Sequence, residues 1–200
     1  SIREAVSFRF GRSDLFGVRV HVQGLGKVGF ELAKLLVSNG AIVAASDINE
    51  DSCRRAQDEL SIRIVSNDEL LTGNCDVFAP CALGGVLNEW SIPALNTALI
   101  AGAANNQLLT QEDHERLENS GILYCPDYLV NAGGVIDVYH RRHGATQEHI
   151  DAEVAAIGER LKSILMGAKS QRISPEKVAQ EHAENLIRAR QNQAIPTVAA

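Results

Sequence analysis

The fold of this chain is decided by the stretch Val18-Arg19-Val20-His21-Val22-Gln23-Gly24-Leu25-Gly26-Lys27-Val28-Gly29. Its alternating apolar residues predict a short β-strand, and its three glycines form a G-x-G-x-x-G turn. From Lys27 onward the apolar residues recur at helical spacing, and Gly40 is placed to end that helix. A strand, a glycine turn and a helix in this order are typical of the first unit of a dinucleotide-binding α/β fold.

Each glycine of the turn has its own physical task. Gly24 permits the tight turn, and Gly26 lets a pyrophosphate approach the backbone because it has no side chain. Gly29 lets the helix pack close to the strand. The helix N-terminus presents free N–H groups and a partial positive charge to a phosphate. The stretch therefore predicts a dinucleotide-binding site.

A second strand and an acidic residue complete this pattern. Residues 41–46 form an apolar run of strand length, and Asp47 follows about 20 residues after Gly24, the spacing expected of a ribose-binding acid. A carboxylate there accepts hydrogen bonds from both ribose hydroxyls of NAD and repels the 2′-phosphate of NADP. The next residue is Ile48 and not an arginine that could bind that phosphate. The alternative is that the glycines only tighten a strand–helix corner and that Asp47 caps a helix beginning near Glu50.

Composition and charge restrict the class of protein. The chain has 200 residues, 45% hydrophobic and 22% charged, which fits one globular domain with or without an appendage. Its net charge of −6 gives no electrostatic argument for binding nucleic acid or an anionic membrane. No apolar run reaches about 18 residues, and the cysteines and histidines lack metal-binding spacing, so neither a bilayer span nor a metal site is expected. Scattered cysteines favour reduced thiols and a cytoplasmic location.

Strands alternate with helices along most of the chain, which predicts βαβ units with right-handed crossovers. Apolar runs predict four further strands, at 62–65, 75–79, 98–101 and 122–124. An apolar stripe from Ile150 to Leu165 predicts a long helix, and Ser174-Pro175 predicts the start of another. The expected fold class is α/β, a Rossmann-type doubly wound, mostly parallel sheet with C-terminal helices. The predicted division is a leading helix and loop (1–17), a dinucleotide-binding domain (18–145) and C-terminal helices with a tail from 194 (146–200).

Three loops that follow strands contain specific motifs, at the sheet edge where ligands bind. They are Ala79-Pro80-Cys81-Ala82-Leu83-Gly84-Gly85, Ile100-Ala101-Gly102-Ala103-Ala104-Asn105-Asn106-Gln107-Leu108 and Cys125-Pro126-Asp127-Tyr128-Leu129-Val130-Asn131-Ala132-Gly133-Gly134-Val135. With the glycine turn and Ser46-Asp47-Ile48-Asn49, they resemble the cofactor domain of the leucine/phenylalanine/valine branch of the amino-acid dehydrogenases. The relation to glutamate dehydrogenase is more distant. The resemblance covers about residues 2–190.

The resemblance implies reversible, NAD-linked oxidative deamination of an L-amino acid to a 2-oxo acid and ammonia. Asp47 would hold the adenosine ribose, with Ile48 beside it in the cofactor site. The residues implied to cradle the pyrophosphate are Gly24, Leu25, Gly26, Lys27 and Val28. The residues implied to line the nicotinamide side are Cys81, Ala82 and Leu83.

The later loops would contact the reacting half of the complex. By resemblance, Asn106 lies by the nicotinamide ribose or the substrate, and Asn131 reaches the carboxamide or the substrate carboxylate. Val135 and Val138 match positions that line the substrate side-chain pocket, where two valines favour an aliphatic side chain. Residues 81, 106 and 131 also have simpler interpretations, namely a small apolar contact, a turn former and a helix cap.

The chemistry of the family needs groups that this chain lacks. The acid/base lysine, the lysine for the substrate carboxylate and an aspartate belong to a preceding substrate domain, whose glycine-rich lysine motif is absent before Val18. We therefore expect no catalytic residue here, substrate binding only with the missing domain, and part of a longer protein rather than a stand-alone domain. A homo-oligomer is possible. The alternative is a non-catalytic NAD-binding or regulatory module. Trp90 is expected to anchor packing, and Asp127 to cap or brace its loop.

Overall fold

The computed structural model describes residues 1–193. The strands are β1 (Arg19–Gln23), β2 (Ile42–Ser46), β3 (Arg63–Ile64), β4 (Val77–Pro80), β5 (Leu99–Ile100) and β6 (Leu123–Tyr124). The helices are α1 (Ile2–Phe10), α2 (Lys27–Ser38), α3 (Glu50–Leu60), α4 (Asn67–Thr72), α5 (Glu112–Asn119), α6 (Asp127–Val130), α7 (Gly133–Arg142), α8 (Gln147–Gln171) and α9 (Pro175–Gln193). A 3₁₀ turn lies at Ile92–Ala94.

The six strands form one parallel sheet in the order β3-β2-β1-β4-β5-β6. The chain winds outward from β1 first to one side and then to the other, so the predicted doubly wound α/β class is confirmed. The register pairs Gln23 with Ser46 on one side and with Pro80 on the other. Pro80 is therefore the last residue of β4. The three central strands end at one level, and the loops that follow them meet there.

Apolar side chains are buried on both faces of the sheet, as a parallel sheet requires. One cluster packs β1 and β4 against α1, α2 and α8, and includes Val6, Val20, Phe30, Val77 and Leu161. The other cluster lies on the opposite face and includes Leu70, Phe78, Ile100, Leu117 and Tyr124. Helices α1 and α8 thus share a core with the sheet. The division at residues 17 and 145 stays a prediction.

The two C-terminal helices form as predicted. Ser174 caps α9, because its Oγ accepts a hydrogen bond of 3.2 Å from the Lys177 N–H, and Pro175 is the first helical residue. The apolar side chains of Leu186 and Ile187 are exposed, so this part of α9 does not bury its apolar residues against the described chain. Residues 194–200, predicted as a tail, lie outside the described residues.

The expectation that Trp90 anchors the core is wrong, because its side chain is 81% exposed. The Asn88 side-chain oxygen accepts hydrogen bonds of 3.0 Å from the N–H groups of both Trp90 and Ser91. This turn directs Trp90 outward. The buried apolar residue of the segment is Ile92.

His21 makes the stability of the central strand depend on pH. Its ring is buried and its Nδ1 donates to the Leu70 carbonyl oxygen at 2.7 Å; burial lowers the pKa of His21 below its usual value. Because the unfolded chain binds the proton more readily, the stability contributed by neutral His21 is present above about pH 6.5 and is lost as the pH falls below it. We expect His21→Gln to flatten the pH dependence of the unfolding free energy, by at most about 1.4 kcal/mol per pH unit.

Denaturant unfolding at several values between about pH 5 and pH 7 measures this slope. The control is His182→Gln, at an exposed position of α9, which should keep the wild-type slope. An unchanged slope in His21→Gln would mean that His21 binds its proton equally in the folded and unfolded chain.

Candidate functional site

The glycine turn forms a close-packed corner between β1 and α2. Gly24 has a φ of +95°, and a Cβ added at Gly29 would lie 2.0 Å from the Gly24 carbonyl oxygen. Gly26 is the N-cap of α2, and a Cβ added there would meet no atom within 4 Å. Among the described residues no side chain caps this helix end, and its first turn carries no acid. The first N–H groups of a helix lack partners within it, so this end is open to an anion.

Asp47 is bonded to the glycine turn. Its Oδ2 accepts from the Leu25 N–H at 2.5 Å and its Oδ1 accepts from the Asn49 N–H at 2.8 Å. Asn49, and not Asp47, caps α3, since its side-chain oxygen accepts from the N–H groups of Asp51 and Ser52. The capping alternative for Asp47 is therefore wrong. The Leu25 N–H is already engaged, so the remaining N–H donors of the turn are those of residues 26–28.

A first cavity, of about 390 Å³, lies outside the carboxyl ends of β1 and β2. Asp47 and Ile48 line it, as do Ala82 and Leu83, which sequence reasoning places on the nicotinamide side. They lie here because the missing Cβ of Gly24 lets the backbone after β4 cross the glycine turn: a Cβ at Gly24 would lie 2.9 Å from the Ala82 nitrogen. The structure thus brings Ala82 and Leu83 to the Asp47 side of the turn.

A second cavity, of about 1210 Å³, is lined by residues of α2, α7 and α8 and of the loops after β5 and β6. Val28 lines it from α2, and Val135 and Val138 line it from α7, where both valines are exposed. Asn131 lines it too. Four of the predicted site residues therefore meet in one mainly apolar space.

The loops after β5 and β6 are joined by side-chain amides and a carboxylate. Asn131 Nδ2 donates to Asn105 Oδ1 at 2.6 Å, so Asn131 braces a neighbouring loop and does not cap α7. Asp127 Oδ2 accepts from the Gln107 N–H at 2.7 Å and therefore braces the loop after β5. Asn106 lies between Asn105 and Gln107 in the chain. It has a φ of +50° and lines neither cavity.

Gln107 is a structural residue of the site that sequence reasoning missed. It is fully buried, and its Nε2 donates to the carbonyl oxygens of Gly102 and Ala104, each at 3.0 Å. Its own carbonyl oxygen accepts from the Leu87 N–H at 2.9 Å. It thus holds the loop after β5 against the chain that follows β4. A glutamine within the motif Asn-Asn-Gln-Leu was the available signal.

Cys81 lies beneath the turn as an apolar contact. A Cβ at Gly29 would lie 3.2 Å from the Cys81 Cβ, and burial raises the pKa of the Cys81 thiol to about 11. A thiol that stays protonated at neutral pH is a poor nucleophile. No cluster of His, Cys, Asp and Glu in the described residues is arranged to hold a metal, and none of their helices is long and apolar enough to cross a bilayer.

The strand order, the glycine turn and the acid after β2 define a Rossmann-type domain. The model of the Glutamate/Leucine/Phenylalanine/Valine dehydrogenase family matches residues 49–200. This chain belongs to that family, and the predicted resemblance is confirmed.

Several known proteins are similar to this chain. Phenylalanine dehydrogenase of Bacillus thermotolerans is 38% identical over 90% of this chain and 49% of its own length. Leucine dehydrogenase of Geobacillus stearothermophilus is 35% identical over 94% of this chain and 53% of its own. The crystal structure of L-tryptophan dehydrogenase from Nostoc punctiforme superposes with a TM-score of 0.91 at 38% identity, over 96% of this chain and 57% of that one. The chain spans about half the length of the curated relatives it matches.

Proposed function

We propose that this chain is the NAD-binding domain of an amino-acid dehydrogenase, which reversibly converts an L-amino acid to a 2-oxo acid and ammonia. One observation carries the proposal: the glycine turn and the helix that follows it border both cavities, since Gly24 of the turn lines the first and Val28 of α2 lines the second. A dinucleotide with its pyrophosphate on this helix end would extend one nucleotide into each cavity. Membership of the family supports the reaction class.

The first cavity is proposed to hold the adenosine half. Asp47 would accept the ribose hydroxyls, because each carboxylate oxygen has lone pairs beyond the one bond it already accepts. Its negative charge would repel a 2′-phosphate, which favours NAD over NADP. Ile48 and Leu83 would pack on the adenine. Gly26, Lys27 and Val28 would bind the pyrophosphate through their N–H groups.

The second cavity is proposed to hold the nicotinamide half and the substrate side chain. Bound NAD supplies the hydride acceptor. Asn131 would orient the carboxamide or the substrate carboxylate, with Asn106 and Cys81 supporting the loops around it. Val135 and Val138 favour an aliphatic amino acid. The acid/base and carboxylate-binding groups would come from the part of the longer protein that this chain does not include, so the chain alone is proposed to bind cofactor without catalysis. A homo-oligomer and cytoplasmic location stay predictions.

The test is an assay of NADH formation by the full-length protein and by this chain. We expect activity with L-leucine or L-valine in the full-length protein only.

In the full-length protein, Val138→Ala should shift the ratio of kcat/KM values from leucine toward phenylalanine by about tenfold. Removing methyl groups from the pocket weakens its contacts with a small substrate side chain and makes room for a larger one. A full-length protein that binds NAD but oxidises no amino acid would contradict the proposal and favour the non-catalytic binding module.

A further inference from the structure

The first cavity contains a pair of side-chain amides that has no part in the contacts of the glycine turn or of Asp47. Gln23, the last residue of β1, and Asn67, the first residue of α4, both line it. Ile48, fully exposed, and Leu83, 85% exposed, line the same cavity and offer apolar surface to a flat ring. The cavity therefore combines two aliphatic side chains with two carboxamides.

The orientation of the Asn67 amide is set by Gln23. Gln23 Nε2 donates to Asn67 Oδ1 at 2.8 Å, while Gln23 Oε1 is buried without a hydrogen-bond partner. Rotating the Gln23 amide would bury an unpaired NH₂ group, whose two hydrogens each lose solvation, so the observed orientation is favoured. Asn67 Nδ2 bonds to no other group among residues 1–193. Asn67 Oδ1 keeps a second lone pair.

We propose that Asn67 recognises the amino edge of the adenine ring. A carboxamide that offers one N–H donor and one acceptor matches the N7 acceptor and the N6 amino group of adenine, as asparagine and glutamine do when they bind adenine in DNA. Asn67 Nδ2 would donate to N7, and Asn67 Oδ1 would accept from N6. Gln23 is the positioning residue. This inference rests on the proposed function and assigns base specificity to its adenosine cavity.

The experiment compares NAD with nicotinamide hypoxanthine dinucleotide by calorimetric titration of this chain. Hypoxanthine has a carbonyl oxygen in place of the N6 amino group. That oxygen and Asn67 Oδ1 are both hydrogen-bond acceptors, so the two would face each other without a hydrogen bond. We expect NAD to bind about tenfold or more tightly than the hypoxanthine analogue, from loss of one bidentate contact. In Asn67→Ala the preference should fall to within about twofold, since the recognising amide is gone. Ser66, and not Asn67, caps α4, so the variant keeps that cap.

The matched control is Asn185→Ala, on the exposed part of α9, which should keep the wild-type preference. Equal binding of the two dinucleotides by the wild-type chain would overturn the inference and leave the proposed function intact. If Asn67→Ala keeps the wild-type preference for NAD over the hypoxanthine analogue, Asn67 does not recognise the base and the inference is overturned. Binding of neither dinucleotide would contradict the proposed function and the inference together.

Discussion

Gly29→Ala is expected to destabilise the chain by about 3 kcal/mol or more, because its Cβ would lie 2.0 Å from the Gly24 carbonyl oxygen. That oxygen belongs to the backbone of the turn, so relief requires β1 and α2 to move apart. Their separation would open the core around Phe30 and Val20, which are both buried. Denaturant unfolding followed by circular dichroism measures the loss.

The control for this substitution is Gly134→Ala. Gly134 also lies in a helix, but a Cβ there meets no atom within 4 Å, so alanine should be neutral or slightly stabilising. If Gly29→Ala unfolds at the same denaturant concentration as the wild type, then α2 and β1 are not in close contact at residue 29.

Gly26→Ala is expected to separate binding from folding. Gly26 has a φ of −63° and open space at its Cβ position, so the variant should lose at most about 1 kcal/mol of stability, the difference between glycine and alanine at an N-cap. The added methyl group would occupy the space through which a pyrophosphate reaches the N–H groups of α2. Loss of one charge-assisted hydrogen bond should weaken NAD binding by about tenfold to a hundredfold.

Calorimetric titration of Gly26→Ala and of the wild type measures this difference. Because a Cβ added at residue 26 would meet no atom within 4 Å, weaker binding could not be attributed to altered packing. Unchanged NAD affinity would show that the phosphates lie elsewhere.

The parts of the fold that the sequence predicts are those that short-range patterns specify. The glycine spacing and the apolar run from 41 to 46 fix two strands and a helix, and Ser174-Pro175 marks the start of α9 within one residue. Alternation of strands and helices then restricts the topology, because crossovers between parallel strands are right-handed.

Contacts between loops could not be predicted in the same way. Asp47 bonds to Leu25, and Asn131 to Asn105, only because the strand order brings together loops that are distant in sequence. Leu83 and Asp47 line the same cavity because the chain after β4 crosses Gly24, a path that no local pattern encodes. Trp90 is exposed because a side-chain amide turns the backbone at that point.

The proposed function requires that this chain bind NAD across the N-terminus of α2, with Asp47 at the ribose. Its most direct test is calorimetric titration of the wild-type chain with NAD and, separately, with NADP. We expect NAD to bind about tenfold or more tightly than NADP, because the 2′-phosphate would lie against the Asp47 carboxylate. Binding of neither dinucleotide, or equal binding of both, would contradict it.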